Sequence, residues 1–409
     1  MRKYFFIICF LLLSYSLTAA TDSLRLGYSA KGTVVDAVTG GALESVLVSI
    51  PGRSHSTVTN ADGFFIIKSD TPFEKVSFSH LGYHSEKLKA GGTMKVSLRP
   101  ENLQLDAASI VMGDPEKIVW TAIDNIWYTY CTQPELLECF YRETLQKRRR
   151  YTYVAEAVAR IYKSRFSGGG TSRDAAALEK SRLLVSQRSQ DTLSIKTQGG
   201  PTMAIHMDLL KNTGILFTRS EMSQYEFQML MPKYIGDRLQ FVIKMSPRVI
   251  ADYALYNCTL YIDRELLTFT RIEASVDMTD PVKATRMMLV KKPGSLRFTP
   301  LECSIVVNYR LEGNHSRLEY LRTTMRFLCD WRKRLFKTDY TAINELVVTD
   351  VLPEATPIDR TQRFRTVDCL NDKAIEFTDP DFWADYNIIE PSETLEHAIN
   401  RLRRSARKN

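Results

Sequence analysis

The chain has 409 residues and a formal net charge of +8, from 55 lysines and arginines against 47 aspartates and glutamates. This length exceeds the roughly 100 to 200 residues of one typical domain, which excludes a single small module and predicts two or more folded units. Hydrophobic residues make up 44% of the chain and aromatic residues 10%, a composition that fits globular domains with sizeable cores.

The first twenty residues have the pattern of a secretory signal peptide. Arg2 and Lys3 precede an apolar run from Tyr4 to Leu13, and Ala20 ends a pair of small residues suited to cleavage. Cys9 lies inside the apolar run and not after the cleavage position, so we expect an unlipidated protein in the periplasm or at the inner face of the outer membrane. No later segment approaches the roughly 20 apolar residues of a membrane helix.

The charge of the expected mature chain bears on its partners. Loss of Arg2 and Lys3 lowers the formal charge from +8 to +6, so the chain stays basic. An exported basic protein does not normally meet nucleic acid, and we expect no such partner. Peripheral contact with an anionic membrane surface is one interpretation of the charge. Solvated lysines and arginines that maintain solubility are the simpler one.

Short apolar runs separated by turn residues fill the segment from residue 31 to residue 98. This pattern predicts a compact antiparallel sandwich. Its main segments are Lys31–Asp36, the turn Asn60–Gly63, Ser79–Tyr83 and the closing strand Met94–Leu98. In the turn, Asn and Asp can bond their own backbone, and Gly accepts a positive φ. The expected core consists of Val34, Val46, Val48, Ile50, Val58, Phe64, Ile66, Val76, Phe78 and Leu98.

These motifs resemble the carboxypeptidase regulatory-like domain, a small prealbumin/Ig-like β-sandwich found in many envelope proteins of gram-negative bacteria. The resemblance implies a domain over residues 21–100 and an envelope location. It implies no reaction, because such domains carry none of the peptidase's zinc ligands. A zinc carboxypeptidase begins its metal site with His-x-x-Glu, a spacing that none of the six histidines has. His80 and His84 would lie about 13 Å apart on a strand. We expect no metal and no cofactor.

The remaining chain is predicted to form a linker over residues 101–114, with an edge strand at Ser109–Met112, and an α+β domain over residues 115–409. Asp114 and Pro115 predict a helix start, because Asp caps the first turn and Pro needs no N–H donor there. Period-2 alternation then predicts an antiparallel meander, curved like a half-barrel around one or two helices. Smaller features are an exposed loop with a short helical piece over Ser167–Lys180 and a strand over Ala284–Lys291. Helices are expected over Met203–Lys211 and Ser392–Arg404. The expected fold class is therefore mainly β.

A second resemblance covers this larger part of the chain. This part resembles the body of a group of exported proteins in which a regulatory-like domain precedes a large β-rich region. The resemblance is carried by Phe140–Glu143, Glu156–Val158 and Ile161–Lys163. That group has no assigned activity, so the resemblance implies architecture and location only.

Two glutamates lie on strands joined by the basic turn Lys147–Arg150. Glu143 and Glu156 could serve as acid and base if they faced one cleft. The same spacing lets Arg142 pair with Glu156 across the hairpin, which is the structural interpretation that we favour.

Six cysteines remain after removal of the expected signal peptide, and their connectivity is open. The strands on either side of Gly313 predict a hairpin. If their alternating faces coincide, Cys303 and Cys329 lie near each other and could form a disulfide. Buried free thiols are the equal alternative.

No nucleophile elbow, phosphate loop or zinc-protease motif occurs in the sequence. We therefore expect a non-enzymatic periplasmic or envelope binding or adaptor protein, in which the sandwich docks an envelope partner and the larger domain holds a ligand. The alternative is a lipid or lipoprotein carrier with a curved sheet face. A hydrolase without a visible site is the third hypothesis. In the carrier hypothesis, a lipid-like ligand would contact apolar residues on the concave face of the sheet. The expected ligand-facing residues are Phe227, Met229, Phe241, Ile243, Tyr261 and Phe269.

Overall fold

The computed structural model describes residues 27–101, 113–186, 199–289, 292–332, 336–373, 383–384 and 386–406. The expected signal peptide and the expected edge strand at Ser109–Met112 lie outside these residues, as does nearly all of the expected linker. Within the described ranges the chain is mainly β, with an N-terminal sandwich, a larger antiparallel sheet and a few helices. The expected fold class is confirmed in these terms.

The N-terminal sandwich consists of two small sheets. One has the order β4-β1-β7, with β1 and β7 parallel, and the other has the order β3-β2-β5-β6. The turn before β4 needs its glycine, because Gly63 has a φ of 71° and a Cβ there would lie 2.3 Å from the Val34 carbonyl oxygen. The strands are β1 Tyr28–Asp36, β2 Leu47–Ser49, β3 Ser56–Val58, β4 Phe64–Ser69, β5 Lys75–Ser79, β6 Glu86–Lys89 and β7 Thr93–Leu98.

The core of the sandwich differs from the expected set in β4. Phe65 and Ile67 are buried, whereas the expected Phe64 and Ile66 are only half-buried. All four residues are apolar. The sequence therefore does not show which alternate residues of this strand face the core. The other expected core residues are buried.

The larger sheet has eleven strands in the order β11-β12-β13-β14-β15-β16-β17-β8-β9-β10-β18. A meander runs from β11 to β17, and β17 then pairs with β8. The strands are β8 Glu135–Lys147, β9 Arg150–Lys163, β10 Ala175–Val185, β11 Tyr225–Ile235, β12 Arg238–Pro247, β13 Tyr256–Asp263, β14 Phe269–Val276, β15 Leu296–Glu312, β16 His315–Trp331, β17 Thr338–Leu352 and β18 Arg363–Phe364.

Two of the helices begin at an Asp-Pro cap. α1 begins at Pro115 as the sequence predicts, with Asp114 accepting a hydrogen bond from the Glu116 backbone N–H at 3.0 Å. The strand expected at Ala284–Lys291 is wrong, because Asp280 and Pro281 provide the same start signal for α4. The loop expected over Ser167–Lys180 gives way to β10 at Ala175. The helices are α1 Pro115–Thr129, α2 Gly200–His206, α3 Arg219–Met222, α4 Pro281–Met288, α5 Leu370–Lys373 and α6 Glu393–Ala406.

The two faces of the large sheet have different covers. On the helix-covered face, α1, α2 and residues 207–222 pack onto the inward residues of the strands. On the sandwich-covered face, Val58 of β3 packs in one apolar cluster with Phe140 and Tyr320. The same cluster contains Trp383, Ile388 and Ile389. α6 covers a neighbouring part of that second face. No described helix has the length and apolar character needed to cross a membrane.

Candidate functional site

The apolar residues expected to face a lipid lie mainly under the helices. Ile243 and Phe269 are fully buried, and Phe217 stacks on Phe269 with ring centroids 5.1 Å apart. Phe227, Met229 and Phe241 pack against the same core and are half-buried. The chain's own residues therefore occupy the place that the expected ligand would take at Ile243 and Phe269.

Tyr261 departs from the expected set. It lies opposite Val242 and Arg271 in the ladder, whereas its neighbours Leu260 and Ile262 belong to the helix-covered core. Because successive residues of a strand point to opposite faces, Tyr261 faces away from the helices. The expectation that all six residues line one surface is wrong for Tyr261.

A buried ion pair fastens the segment after α2 to the sheet. Lys163 at the end of β9 contacts the Asp208 carboxylate, and its Nζ also lies 2.8 Å from the Tyr130 hydroxyl. Tyr130 and Tyr309 both donate to Asp208. Burial by itself would lower the pKa of Lys163, but the adjacent carboxylate outweighs it and raises that pKa. Since charge and hydrogen bonds are matched here, the cluster fits a structural anchor.

Charged residues alternate in sign across five strands of the sandwich-covered face. Each strand contributes one residue to this row, and each residue lies directly opposite the next in the ladder. In the order β16, β17, β8, β9 and β10, the residues are Arg322, Glu345, Arg142, Glu156 and Arg182. Arg142 Nε is 2.7 Å from Glu156 Oε1, and Arg182 contacts the other oxygen of the same carboxylate. Burial opposes ionisation of Glu156, but the two guanidinium groups hold its pKa below the usual range.

Glu143 and Glu156 do not face one cleft. Glu156 belongs to the charged row beside Arg142, whereas Glu143 is the next residue along β8 and points to the helix-covered face. The sheet itself separates the two carboxylates. This geometry removes the acid–base interpretation of the pair.

Glu143 instead lies among tyrosines and uncharged polar groups. Its carboxylate accepts hydrogen bonds from Tyr141 at 2.9 Å and from Tyr153 at 3.0 Å, and its exposed fraction is 1%. Asn344 lies directly opposite it on β17, and Thr323 lies opposite Asn344 on β16. Directly opposed side chains have Cβ atoms about 5 Å apart. We call Glu143, Asn344 and Thr323 the Glu143 site.

The Glu143 site has unused hydrogen-bonding capacity. Asn344 Oδ1 and Thr323 Oγ1 are buried without a hydrogen-bond partner in the described part of the chain. Burial raises the pKa of Glu143 to about 7, and the two tyrosine hydroxyls oppose this shift only in part. Buried polar atoms are normally paired, so these unpaired oxygens beside a carboxyl with a raised pKa make the Glu143 site a candidate binding site.

Apolar residues border the Glu143 site. Ile305 is next to Thr323 in the same row, and Cys303 lies opposite Met325 one row away. Ile305 is buried, but Cys303 and Met325 are half-buried, as is Thr323. The Glu143 site therefore combines a few polar groups with apolar neighbours, the mixture of residues typical of small-molecule sites.

The register of β15 and β16 separates Cys303 from Cys329. Cys303 lies opposite Met325, and Cys329 lies opposite Phe298. Cys329 is therefore four residues beyond the position facing Cys303, about 13 Å along the strand, whereas a disulfide needs a Cα separation of about 4.4 to 6.8 Å. The two thiols are not bonded to each other, which corrects the expected proximity.

The described residues contain no group of three or more His, Cys, Asp and Glu side chains that could hold a metal ion. His80 and His84 have separate neighbours. His80 contacts the carbonyl oxygens of Glu44 and Leu81, while His84 Nδ1 lies 3.7 Å from Glu101.

Sequence reasoning considered Glu143 only as a partner of Glu156 and missed Asn344, Thr323 and the Lys163 cluster. A signal was present, because these residues interrupt the apolar phase of their strands. Each of them lies two residues from a buried apolar residue of its own strand and therefore on the same face. The apolar residues are Leu346 for Asn344, Leu321 for Thr323 and Ile161 for Lys163. A polar residue at an inward position is either paired or functional.

Two known structures share distant similarity with the chain. One is a DUF1329 family protein from Desulfovibrio piger, with 9% identity and a TM-score of 0.25, covering 61% of this chain and all of the other. Another is a putative membrane-associated protein of unknown function from Bacteroides fragilis, with 10% identity and a TM-score of 0.15, covering 79% of this chain and 98% of the other. No curated protein matches the chain.

The N-terminal part has a clear relative. Residues 30–111 match the family of CarboxypepD_reg-like domains, which confirms the resemblance carried by the motifs of the sandwich. The match includes all but the first residues of the two small sheets and stops before α1. The sandwich of this protein is a CarboxypepD_reg-like domain, joined to a large antiparallel sheet.

Proposed function

We propose that the protein is a non-enzymatic binding protein of the bacterial cell envelope, and that its ligand occupies the Glu143 site. The export signal expected in residues 1–20 and the CarboxypepD_reg-like domain support the location. The observation that carries the binding role is the buried Glu143 carboxyl beside the unpaired oxygens of Asn344 and Thr323.

The chemistry of the site suggests the class of ligand. Glu143 and Asn344 present oxygen acceptors, and the Thr323 hydroxyl can accept or donate. A ligand with an amine or hydroxyl group would satisfy them, while its apolar part would contact Met325 and Ile305. Glu156, the second carboxylate that catalysis would have used, is on the other side of the sheet. Binding without reaction is therefore the role that this geometry supports.

Native mass spectrometry of the protein isolated from its own cells tests the proposal. We expect a bound small molecule in the unmodified protein and its loss in Asn344→Leu, which removes the unpaired amide oxygen. Glu319→Gln is the matched control, because burial also raises the pKa of Glu319 to about 7 at a different position. A ligand retained by Asn344→Leu, or no ligand in any sample, would count against the proposal. Circular dichroism spectra would verify that both variants are folded.

A further inference from the structure

A second feature lies at the hairpin tips of the large sheet. β8 ends at Lys147 and β9 begins at its ladder partner Arg150, so only Arg148 and Arg149 form the turn. Both have positive φ angles, 48° and 65°. Two-residue hairpins require this conformation and usually have Asn-Gly there, because a side chain other than Asn or Asp is strained in the left-handed region. Two exposed arginines in this turn are not explained by folding.

The arginines of this turn line a cleft. The cleft has a volume of about 530 Å³, and its walls include Arg148, Arg149, Arg326, Asp339 and Thr341. Three positive side chains face one negative side chain, a local excess of two charges. Arg326 is 3.7 Å from Asp339 and 3.9 Å from Glu302, so its ion pairs are long. Arg149 makes no hydrogen bond or ion pair with any described residue.

The neighbouring hairpin tip adds an exposed aromatic ring. Arg148 donates from its guanidinium to the Lys337 carbonyl oxygen at 3.4 Å, so the β8–β9 turn touches the start of β17. Phe336 precedes Lys337 and has an exposed fraction of 73%. Arg332 and Lys337 are exposed as well. Basic side chains around an exposed aromatic residue match the composition of a peripheral membrane contact.

We propose that these tips, which we call the basic tip (Arg148, Arg149, Arg326, Phe336 and Lys337), dock the protein on a bilayer of anionic phospholipid. Charge complementarity and the exposed Phe336 select this occupant. Arg148 and Arg149 bind lipid phosphates, for which the planar guanidinium is well suited. Phe336 lies at the level of the headgroups. This surface is separate from the Glu143 site, so either proposal can fail without the other.

Co-sedimentation with vesicles tests the docking surface. We expect the protein to sediment with vesicles of phosphatidylcholine and phosphatidylglycerol, less so as salt is raised, and not with phosphatidylcholine alone. The informative variant is Arg148→Asn with Arg149→Gly, because it removes two charges and places the preferred residues in the turn. Each basic residue near an anionic surface contributes about a factor of five, so this variant should lose about 25-fold in partitioning.

A matched control removes two charges elsewhere. Lys87 and Lys89 are exposed residues of β6, and Lys87→Gln with Lys89→Gln should partition like the unmodified protein. Phe336→Ala should weaken binding even in vesicles with the same charge. Equal loss in the Lys87 and Lys89 control, or no sedimentation of the unmodified protein, would overturn the proposal. Saturable binding of inorganic phosphate by calorimetry, without vesicle binding, would assign the cleft to a soluble anion instead.

Discussion

Arg142 and Glu156 lie directly opposite each other on β8 and β9, with Arg142 Nε 2.7 Å from Glu156 Oε1. The pair is buried, and Arg142 also donates to the Ile389 carbonyl oxygen at 2.6 Å. Through Arg142, the large sheet is thus hydrogen-bonded to the C-terminal segment at Ile389, which packs with Val58 of the sandwich.

Removal of this carboxylate should be costly. Glu156→Gln leaves Arg142 and Arg182 buried without their counter-charge, and loss of one partner of a buried pair typically costs about 3 to 5 kcal/mol. Urea unfolding measures the change. Glu265→Gln is the control, because Glu265 is 81% exposed and its ion pair with Arg238 should contribute about 1 kcal/mol or less. Equal stability of Glu156→Gln and the unmodified protein would refute the structural role.

Glu143 should make the stability depend on pH in the neutral range. Its pKa in the folded protein is about 7, above the ordinary value of 4.5. The folded state therefore holds the proton more tightly, and this contribution is complete below about pH 4.5 and lost as pH rises through about 7. Compared with the unmodified protein, Glu143→Gln should gain up to about 3 kcal/mol in relative stability between pH 4 and pH 8.

Urea unfolding at several pH values gives this difference directly. Glu138 and Glu319 also have pKa values raised to about 7 by burial, so the slope of the unmodified protein alone does not isolate Glu143. The difference between Glu143→Gln and the unmodified protein does. A difference that stays constant with pH would show that Glu143 titrates normally.

The fold class followed from local patterns, but the neighbours of Glu143 did not. Alternation identified the strands, and Asp114 with Pro115 identified the start of α1. Strand order depends on long-range pairing, and the pairing of β17 with β8 brings Asn344 beside Glu143 across some 200 residues of sequence. The errors at Tyr261 and in β4 have a local cause. Apolar residues occur at consecutive positions in these strands, so alternation does not show which of them face the core.

The cysteines should differ in their reactivity. Burial raises the pKa of Cys131 to about 12 and that of Cys303 to about 11, and it raises those of Cys139 and Cys258 further still. Cys303 is the half-buried one of these four. Because the thiolate is the reactive form, iodoacetamide at pH 8 should label Cys303 first.

Peptide mapping by mass spectrometry reads this order of labelling. Cys131, Cys139 and Cys258 should be labelled only after unfolding in denaturant. If Cys303 stayed unlabelled after unfolding without a reductant, the thiol would be oxidised, which would contradict a free Cys303.

The sandwich should unfold together with the large sheet. Lys68 Nζ donates to the carbonyl oxygens of Trp383 at 3.0 Å, Ala384 at 3.2 Å and Tyr386 at 2.9 Å. Thr57 Oγ1 donates to the Ile388 carbonyl oxygen at 2.8 Å. These contacts join β3 and β4 to a segment that also packs on Phe140, so we expect one calorimetric transition for the whole chain.

Lys68→Met should weaken this coupling. It removes the donor to three carbonyl oxygens, two of them half-buried, and hydrogen bonds from a charged group contribute about 1.5 to 3 kcal/mol. Lys95→Met is the control, since Lys95 is exposed on β7 and should change little. The expected result is a lower melting temperature or a split transition for Lys68→Met alone. Two independent transitions in the unmodified protein would instead mean that the sandwich and the sheet fold separately, because burial of Val58 against Phe140 would then add too little free energy to couple them.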